Sequence, residues 1–243
     1  YYSRFAPEGE YPIYCRRKGS LEGDEEVILN VNELASGHSF FQVGALAVSP
    51  NGRYLAYAQD TVGRRIYAFY FKDLQTGELL EDKIESGTAN LRWAEDNETV
   101  FYTVKDLQTL RPYAIKKHKL GNKSEEDILV YEDTDDTFYV YVGKSLSQKF
   151  LFIASSATVT SEYSFIPTDQ PDASPTVIIP RERGHEYSVD HHGDHFYILS
   201  NDQAVNFRIM RLPIHLQGKE NWEEFMAHRP EVFLEDVDAF QEQ

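Results

Sequence analysis

Four histidines lie close together, His185, His191, His192 and His195, and imidazoles so grouped raise the question of a metal site. His191 and His195 would share one face of a helix, but Gly193-Asp194 between them reads as a hairpin turn. Successive strand residues point to opposite faces, so this spacing converges no ligand set and assigns no metal. Nucleophilic chemistry finds no better footing. The chain has no Gly-x-Ser-x-Gly elbow, and Cys15 sits in the strand-like run Tyr14-Cys15-Arg16-Arg17 without a base placed beside it. Cys15 reads as a packing residue, and Ser155, Ser156 and Ser161 as turn residues. Carboxylates cluster at Asp24-Glu25-Glu26, Glu125-Glu126-Asp127 and Asp133-Asp135-Asp136, beside the small polar residues that mark solvated turns. The Asp133 run lacks the glycine and distal glutamate of a calcium loop. No catalytic residue and no cofactor site is assigned within the chain.

Two motifs mix charge and rings beyond what a solvated loop requires. They are Asp60-Thr61-Val62-Gly63-Arg64-Arg65-Ile66-Tyr67 and the stretch from Arg181 through Arg183 and His185 to Asp190. Guanidinium groups there can grip carboxylates in forked pairs, on another domain, on a peptide, or between neighbouring sheets.

The elements that must position these groups repeat. Polar turns at Asn51-Gly52-Arg53, Asp96-Asn97-Glu98, Ser147-Gln148-Lys149 and Gly193-Asp194-His195 are each followed by an apolar run such as Tyr54-Leu55-Ala56-Tyr57 or Phe150-Leu151-Phe152-Ile153. Their starting positions are 45, 51 and 46 residues apart. A strand-rich repeat of roughly 40 to 50 residues is the mark of a four-stranded propeller blade. Each interval divides again, as where Gln75-Thr76-Gly77 separates Ile66-Tyr67-Ala68-Phe69-Tyr70-Phe71 from Glu78-Leu79-Leu80. Helical patterning is confined to residues 32–36 and 222–228. The expected fold is all-β, an incomplete β-propeller of about four blades with partial blades at both ends. The final partial blade would start with an inner strand at Val237-Asp238-Ala239-Phe240, and the whole of 1–243 is expected to be one partial propeller domain cut from a longer protein.

Charge and composition narrow the partners. The formal net charge of −16 argues against nucleic acid, whose phosphates need clustered Lys and Arg, and favours basic ligands. No apolar run approaches the ~20 residues of a membrane-spanning helix. A single cysteine excludes an intrachain disulfide framework, and a cytoplasmic location is expected. The 14% aromatic content suits the wide interfaces between blades.

Several motifs in order, Val48-Ser49-Pro50-Asn51-Gly52-Arg53-Tyr54-Leu55-Ala56-Tyr57, residues 60–67, Thr109-Leu110-Arg111-Pro112-Tyr113, Asp135-Asp136-Thr137-Phe138-Tyr139-Val140 and residues 181–190, resemble the propeller of the oligopeptidase B branch of the prolyl oligopeptidase family of serine peptidases. The resemblance runs along nearly the whole chain. It implies a seven-bladed propeller covering an α/β-hydrolase domain that supplies the serine, aspartate and histidine and lies outside this sequence. It also implies cleavage of short peptides after Arg or Lys, often at dibasic sites, with the propeller limiting access. On that basis Arg64, Arg65, Arg181 and Arg183 become candidates for contacts across the domain boundary or for substrate gating, and the chain alone is expected to be inactive. The rival expectation is a stand-alone propeller scaffold, although Trp93 and Trp222 do not form the Trp-Asp signature of the commonest scaffold repeat.

Overall fold

Short polar turns between apolar runs bring each strand back antiparallel beside the one before it. In the computed structural model, which describes residues 1–240, this happens within each of four sheets. Strands β1 (Tyr2–Phe5), β2 (Pro12–Arg17) and β3 (Glu25–Asn30) form a three-stranded sheet. A one-turn helix, α1 (Val31–Ala35), capped by the Asn30 side chain, leads on to β4 (Gln42–Val48), β5 (Tyr54–Asp60), β6 (Tyr67–Asp73) and β7 (Leu79–Trp93). Then come β8 (Thr99–Lys105), β9 (Pro112–Lys119) and β10 (Ile128–Glu132). Two further sheets contain β11 (Tyr139–Lys144), β12 (Phe150–Ala157), β13 (Thr160–Pro167) and β14 (Thr176–Ile179), and β15 (Tyr187–His192), β16 (His195–Ser200), β17 (Arg208–Pro213) and β18 (Glu223–Met226).

The fifteen-residue β7 serves two blades. Its first part pairs with β6, with Ile84 opposite Phe69, and its last part pairs with β8, with Arg92 opposite Phe101. Between them the backbone turns a corner at Ser86, whose φ is +67°, and Gly87. A methyl group on Gly87 would collide with the Phe69 ring, so the corner closes only around glycine. The sheet β4 to β10 is therefore two four-stranded blades that share one chain. With β11–β14 and β15–β18 this makes four complete blades beside the three-stranded sheet, in agreement with the all-β expectation.

Alternation explains why these strands read as nearly continuous apolar runs. On β8, Val100 and Tyr102 pack against Ala56, Phe69 and Phe71 of the preceding blade, while Phe101 faces Val140, Val142 and Leu151 of the following one. Both faces of an internal blade are buried, so neither face can be polar. The same logic puts Phe150, Phe165, Tyr187 and Phe196 between the last two blades, and Ile28, Leu29, Leu55 and Tyr57 between the first sheet and its neighbour. Cys15 is fully buried on β2, as its sequence context indicated.

Three sequence expectations are overturned. Ser155 and Ser156 lie on β12 and Ser161 on β13 rather than in a turn, because both strands run on until only Thr158 and Val159 join them. Residues 222–228 hold no α-helix: Glu223–Met226 is the edge strand β18, paired with β17 so that Glu223 lies opposite Arg211 and Met226 opposite Ile209. Ladder hydrogen bonds and the 2.7 Å Arg211–Glu223 ion pair prevail over a short helical pattern. Val237 to Phe240 form no strand either, because an inner strand needs a second strand beside it and none follows among the described residues. The Ala239 N–H instead donates to Asp190 Oδ2 at 2.8 Å.

Candidate functional site

Four-stranded blades segregate their connections. The turns joining the first and second strands, at residues 49–53, 94–98, 145–149 and 193–194, share one end of the molecule, as the 2.7 Å bond from Asn51 N–H to Asn97 Oδ1 confirms for two of them. The turns joining second and third strands, at residues 61–66, 106–111, 158–159 and 201–207, lie at the opposite end with the interblade connections 132–138 and 180–186. Bonds from Ser161 N–H to the His185 carbonyl and from Asp133 N–H to the Tyr113 carbonyl tie connections to strand ends there. This second end gathers all four arginines of the two charged motifs.

The first motif is a turn organised by Asp60, which is buried. Its Oδ1 accepts from the N–H groups of Val62 and Gly63 at 2.8 and 2.9 Å, and its Oδ2 from that of Arg65 at 2.7 Å. Arg65 is thereby held at a φ of +56°, and its carbonyl accepts from the buried Lys105 ammonium at 2.5 Å. Burial lowers the Lys105 pKa, aided by the charge of Arg65 and opposed by Asp60. Inside this fixed backbone the Arg64 and Arg65 side chains are exposed and make no ion pair among the described residues. Asp106 holds the equivalent turn of the next blade in the same way, accepting from Gln108 and Thr109 N–H groups at 2.8 and 2.6 Å.

The second motif splits. Arg181 lies 4.0 Å above the Phe138 ring and donates to Asp133 Oδ2 at 2.6 Å and Glu162 Oε1 at 3.1 Å, joining two blades. Burial works against its charge, yet the two carboxylates raise its pKa on balance. Arg183 is exposed and, among the described residues, unpaired. Its neighbour Glu182 accepts from Lys219, which also donates to Asp202 and so stitches the connection to the 201–207 turn.

The histidines do not converge. His185 is buried with Nε2 2.8 Å from Ser200 Oγ, its pKa pushed down to about 4 by burial and by Lys219. His191 bonds Ser147 Oγ at 2.7 Å and lies 4.6 Å from the Phe150 ring, while His192 and His195 face each other across the hairpin. Among the described residues no cluster of His, Cys, Asp and Glu is placed to hold a metal.

Sequence reasoning missed the apolar part of this end. Each blade carries an exposed aliphatic residue in its turn between second and third strands: Val62, Leu107, Val159 and Val205, with exposures of 72, 50, 48 and 78%, and the 106–111 turn adds Leu110 at 37%. The turns between first and second strands at the other end are mostly polar, with Asn, Gly, Asp and Gln at their tips, and carry an exposed aliphatic residue at Leu146, 42% exposed. Valine or leucine in a polar turn was the available signal, and it is visible only once the turns are known to share one end. This end thus combines exposed apolar tips with the exposed side chains of Arg64, Arg65 and Arg183.

The family model described as the prolyl oligopeptidase N-terminal beta-propeller domain matches residues 1–243. The chain belongs to the prolyl oligopeptidase family. It is 41% identical to dipeptidyl aminopeptidase BI of Pseudoxanthomonas mexicana, over 99% of this chain and 35% of that protein. It is 35% identical to Protease 2 of Moraxella lacunata, over 100% of this chain and 36% of that protein. Oligopeptidase B from Leishmania major superposes with a TM-score of 0.87 at 30% identity, covering 93% of this chain and 32% of that one. This prolyl oligopeptidase propeller thus spans about a third of the length of the relatives it matches. Among the described residues, no helix is long and apolar enough to cross a membrane.

Proposed function

We propose that this chain is the substrate-gating propeller of a cytoplasmic serine oligopeptidase that hydrolyses short peptides after Arg or Lys, often at dibasic sites. The catalytic triad would belong to an α/β-hydrolase domain of the parent protein, seated on the end that carries Val62, Leu107, Val159 and Val205. That end is the observation that carries the reading: exposed apolar tips beside exposed arginines fit a surface that another domain of the parent protein covers. The likeness to proteins named Protease 2 and oligopeptidase B supports the peptidase reading, and the negative charge of the chain suits basic substrates. A closed lid of this kind admits flexible peptides, excludes folded proteins and removes water from the site as it shuts.

The relative named dipeptidyl aminopeptidase BI favours a second reading, release of dipeptides from free N-termini. One comparison separates the two. The parent protein and this chain are assayed with an N-terminally blocked Arg-Arg fluorogenic peptide and with a dipeptide substrate bearing a free amine. Turnover of the blocked peptide by the parent alone, abolished by a serine-directed inhibitor, is the expected result. Turnover of only the free-amine substrate supports the dipeptidyl reading, and activity in neither form turns the assignment toward an interaction scaffold.

A further inference from the structure

The innermost strands of the blades, β4, the last part of β7, β11 and β15, adjoin one another around the propeller axis. Trp93 Nε1–H donates to the Ala47 carbonyl at 3.0 Å, and Leu146 N–H donates to Asp190 Oδ1 at 3.1 Å. Between β7 and β11 the seam is set by Asn90, whose Nδ2 donates to the Val142 carbonyl at 3.0 Å and whose Oδ1 accepts from Val142 N–H at 2.8 Å. Two residues further along each strand, on the same sides, stand Arg92 and Lys144. Alternation fixes their direction: Leu91 and Trp93 face the preceding blade, so Arg92 faces β11, and Val140 and Val142 face the preceding blade, so Lys144 does too.

Two cations are therefore directed into one interblade seam in a chain whose net charge is −16. Both are withdrawn from water, Arg92 in part and Lys144 with a side chain only 10% exposed. Arg92 makes no ion pair among the described residues, and its guanidinium donates only to its neighbour's carbonyl, that of Leu91, at 2.7 Å. The one carboxylate at hand, Glu95, is half exposed and stands 3.9 Å from Lys144 Nζ, beyond hydrogen-bond reach. Burial lowers the pKa of both groups; for Lys144, Glu95 opposes the shift and Arg92 adds to it. Like charges held together in a dehydrated seam destabilise the fold unless an anion joins them.

We infer that Arg92 and Lys144 form an anion-binding subsite on the wall of the propeller channel, and that its ligand is the C-terminal carboxylate of an oligopeptide. The choice of a peptide over a free ion rests on the same inner strand. Tyr139 and Tyr141, turned to the opposite side of β11 toward the following blade, are 47 and 45% exposed, so a chain anchored at Lys144 would reach their rings and hydroxyls by crossing the inner edge of that strand. The identity of the ligand rests on the peptidase reading; the existence of the anion site does not.

Crystals of the parent protein soaked in bromide test the site without reference to activity. The expected result is an anomalous peak within about 4 Å of both cationic groups. It is absent in the Arg92→Gln/Lys144→Gln protein, and it is displaced by N-acetyl-triglycine but not by its amide. Glu95→Gln should strengthen the peak, since it removes the competing carboxylate. No peak overturns the proposal, as does displacement by acid and amide alike; displacement by inorganic phosphate but not by the peptide acid overturns the peptide assignment. In kinetics, a peptide substrate ending in a free carboxylate should show a KM about tenfold below that of its carboxamide, a ratio falling to about one in the double variant. An unchanged ratio also overturns the peptide assignment. A parent with no peptidase activity would defeat the functional reading, while the bromide and displacement results would still decide the subsite.

Discussion

His118 on β9 bonds through Nδ1 to Asp127 Oδ1 at 2.6 Å, with both side chains sealed from solvent. Its Nε2 lies 3.1 Å from Asp82 Oδ1, so one imidazole joins the outer strand of one blade to the third strand of the next. Tyr102 Oη donates to the second oxygen of Asp127 at 2.7 Å, Gly121 N–H donates to Asp82, and the Phe71 ring stacks on the imidazole at 5.5 Å. Burial opposes the imidazolium, but the two aspartates outweigh it and raise the His118 pKa. Protonation of the ring would offset one of the two carboxylate charges in this seam.

Linkage gives the sign of the pH dependence. A histidine whose pKa is higher folded than unfolded contributes stability that is complete below the unfolded value, about 6.5, and is lost as pH rises through the folded value. Urea unfolding midpoints should therefore fall as pH is raised from about 6 upward, and His118→Gln should flatten that portion of the profile. His118→Leu should cost about 3–5 kcal/mol, because it strands two buried carboxylates. A wild-type midpoint that is level across this range would exclude a protonated His118.

The blade pattern was legible in the sequence because it is written in local terms: a polar turn, an apolar run, and a repeat at fixed intervals. Both faces of internal blades are buried, which is why Phe101 and Tyr102 can stand side by side and still each find a core. Tertiary pairings left no such trace. Nothing about Arg181 alone separates it from Arg183, yet one is clamped by Asp133 and Glu162 and the other is exposed. Likewise His118, Asp82 and Asp127 come from separate turns and strands, and their meeting depends on blade packing that a single sequence does not spell out. The helix expected at residues 222–228 failed for the same reason, since an edge strand was waiting for a partner.

Gly87 gives a test of how two blades share β7. The glycine lies where pairing passes from β6 to β8, and the space that a methyl group would take is already filled by the Phe69 ring. Phe69 is itself buried and stacked edge-on to Tyr102 of the next blade at 5.5 Å, so it cannot swing aside cheaply. Gly87→Ala should destabilise the protein by about 1–3 kcal/mol, read as a lower denaturant midpoint. The pair Gly87→Ala with Phe69→Leu should recover part of the loss. Equal midpoints for wild type and Gly87→Ala would show that the corner adjusts without strain.

The exposed end of the molecule makes the strongest demand on the proposed assembly. If a catalytic domain closes over Val62, Leu107, Val159 and Val205, a charge placed at one tip must be dehydrated at each closure and one at a polar turn of the other end must not. Val62→Asp and Val205→Asp should each weaken closure by about 1–2 kcal/mol, roughly tenfold in the ratio of closed to open forms. Small-angle scattering of the parent protein should then shift toward the open shape, and turnover should fall, while Gln148→Asp at the opposite end changes neither. Arg64→Ala combined with Arg65→Ala should act through charge instead, reducing the salt dependence of turnover. Because Asp60 holds this turn through backbone N–H groups, the double alanine variant keeps the loop's shape and isolates the side chains. Scattering and turnover indifferent to all three changes at the Val62 end would remove that end as the docking face.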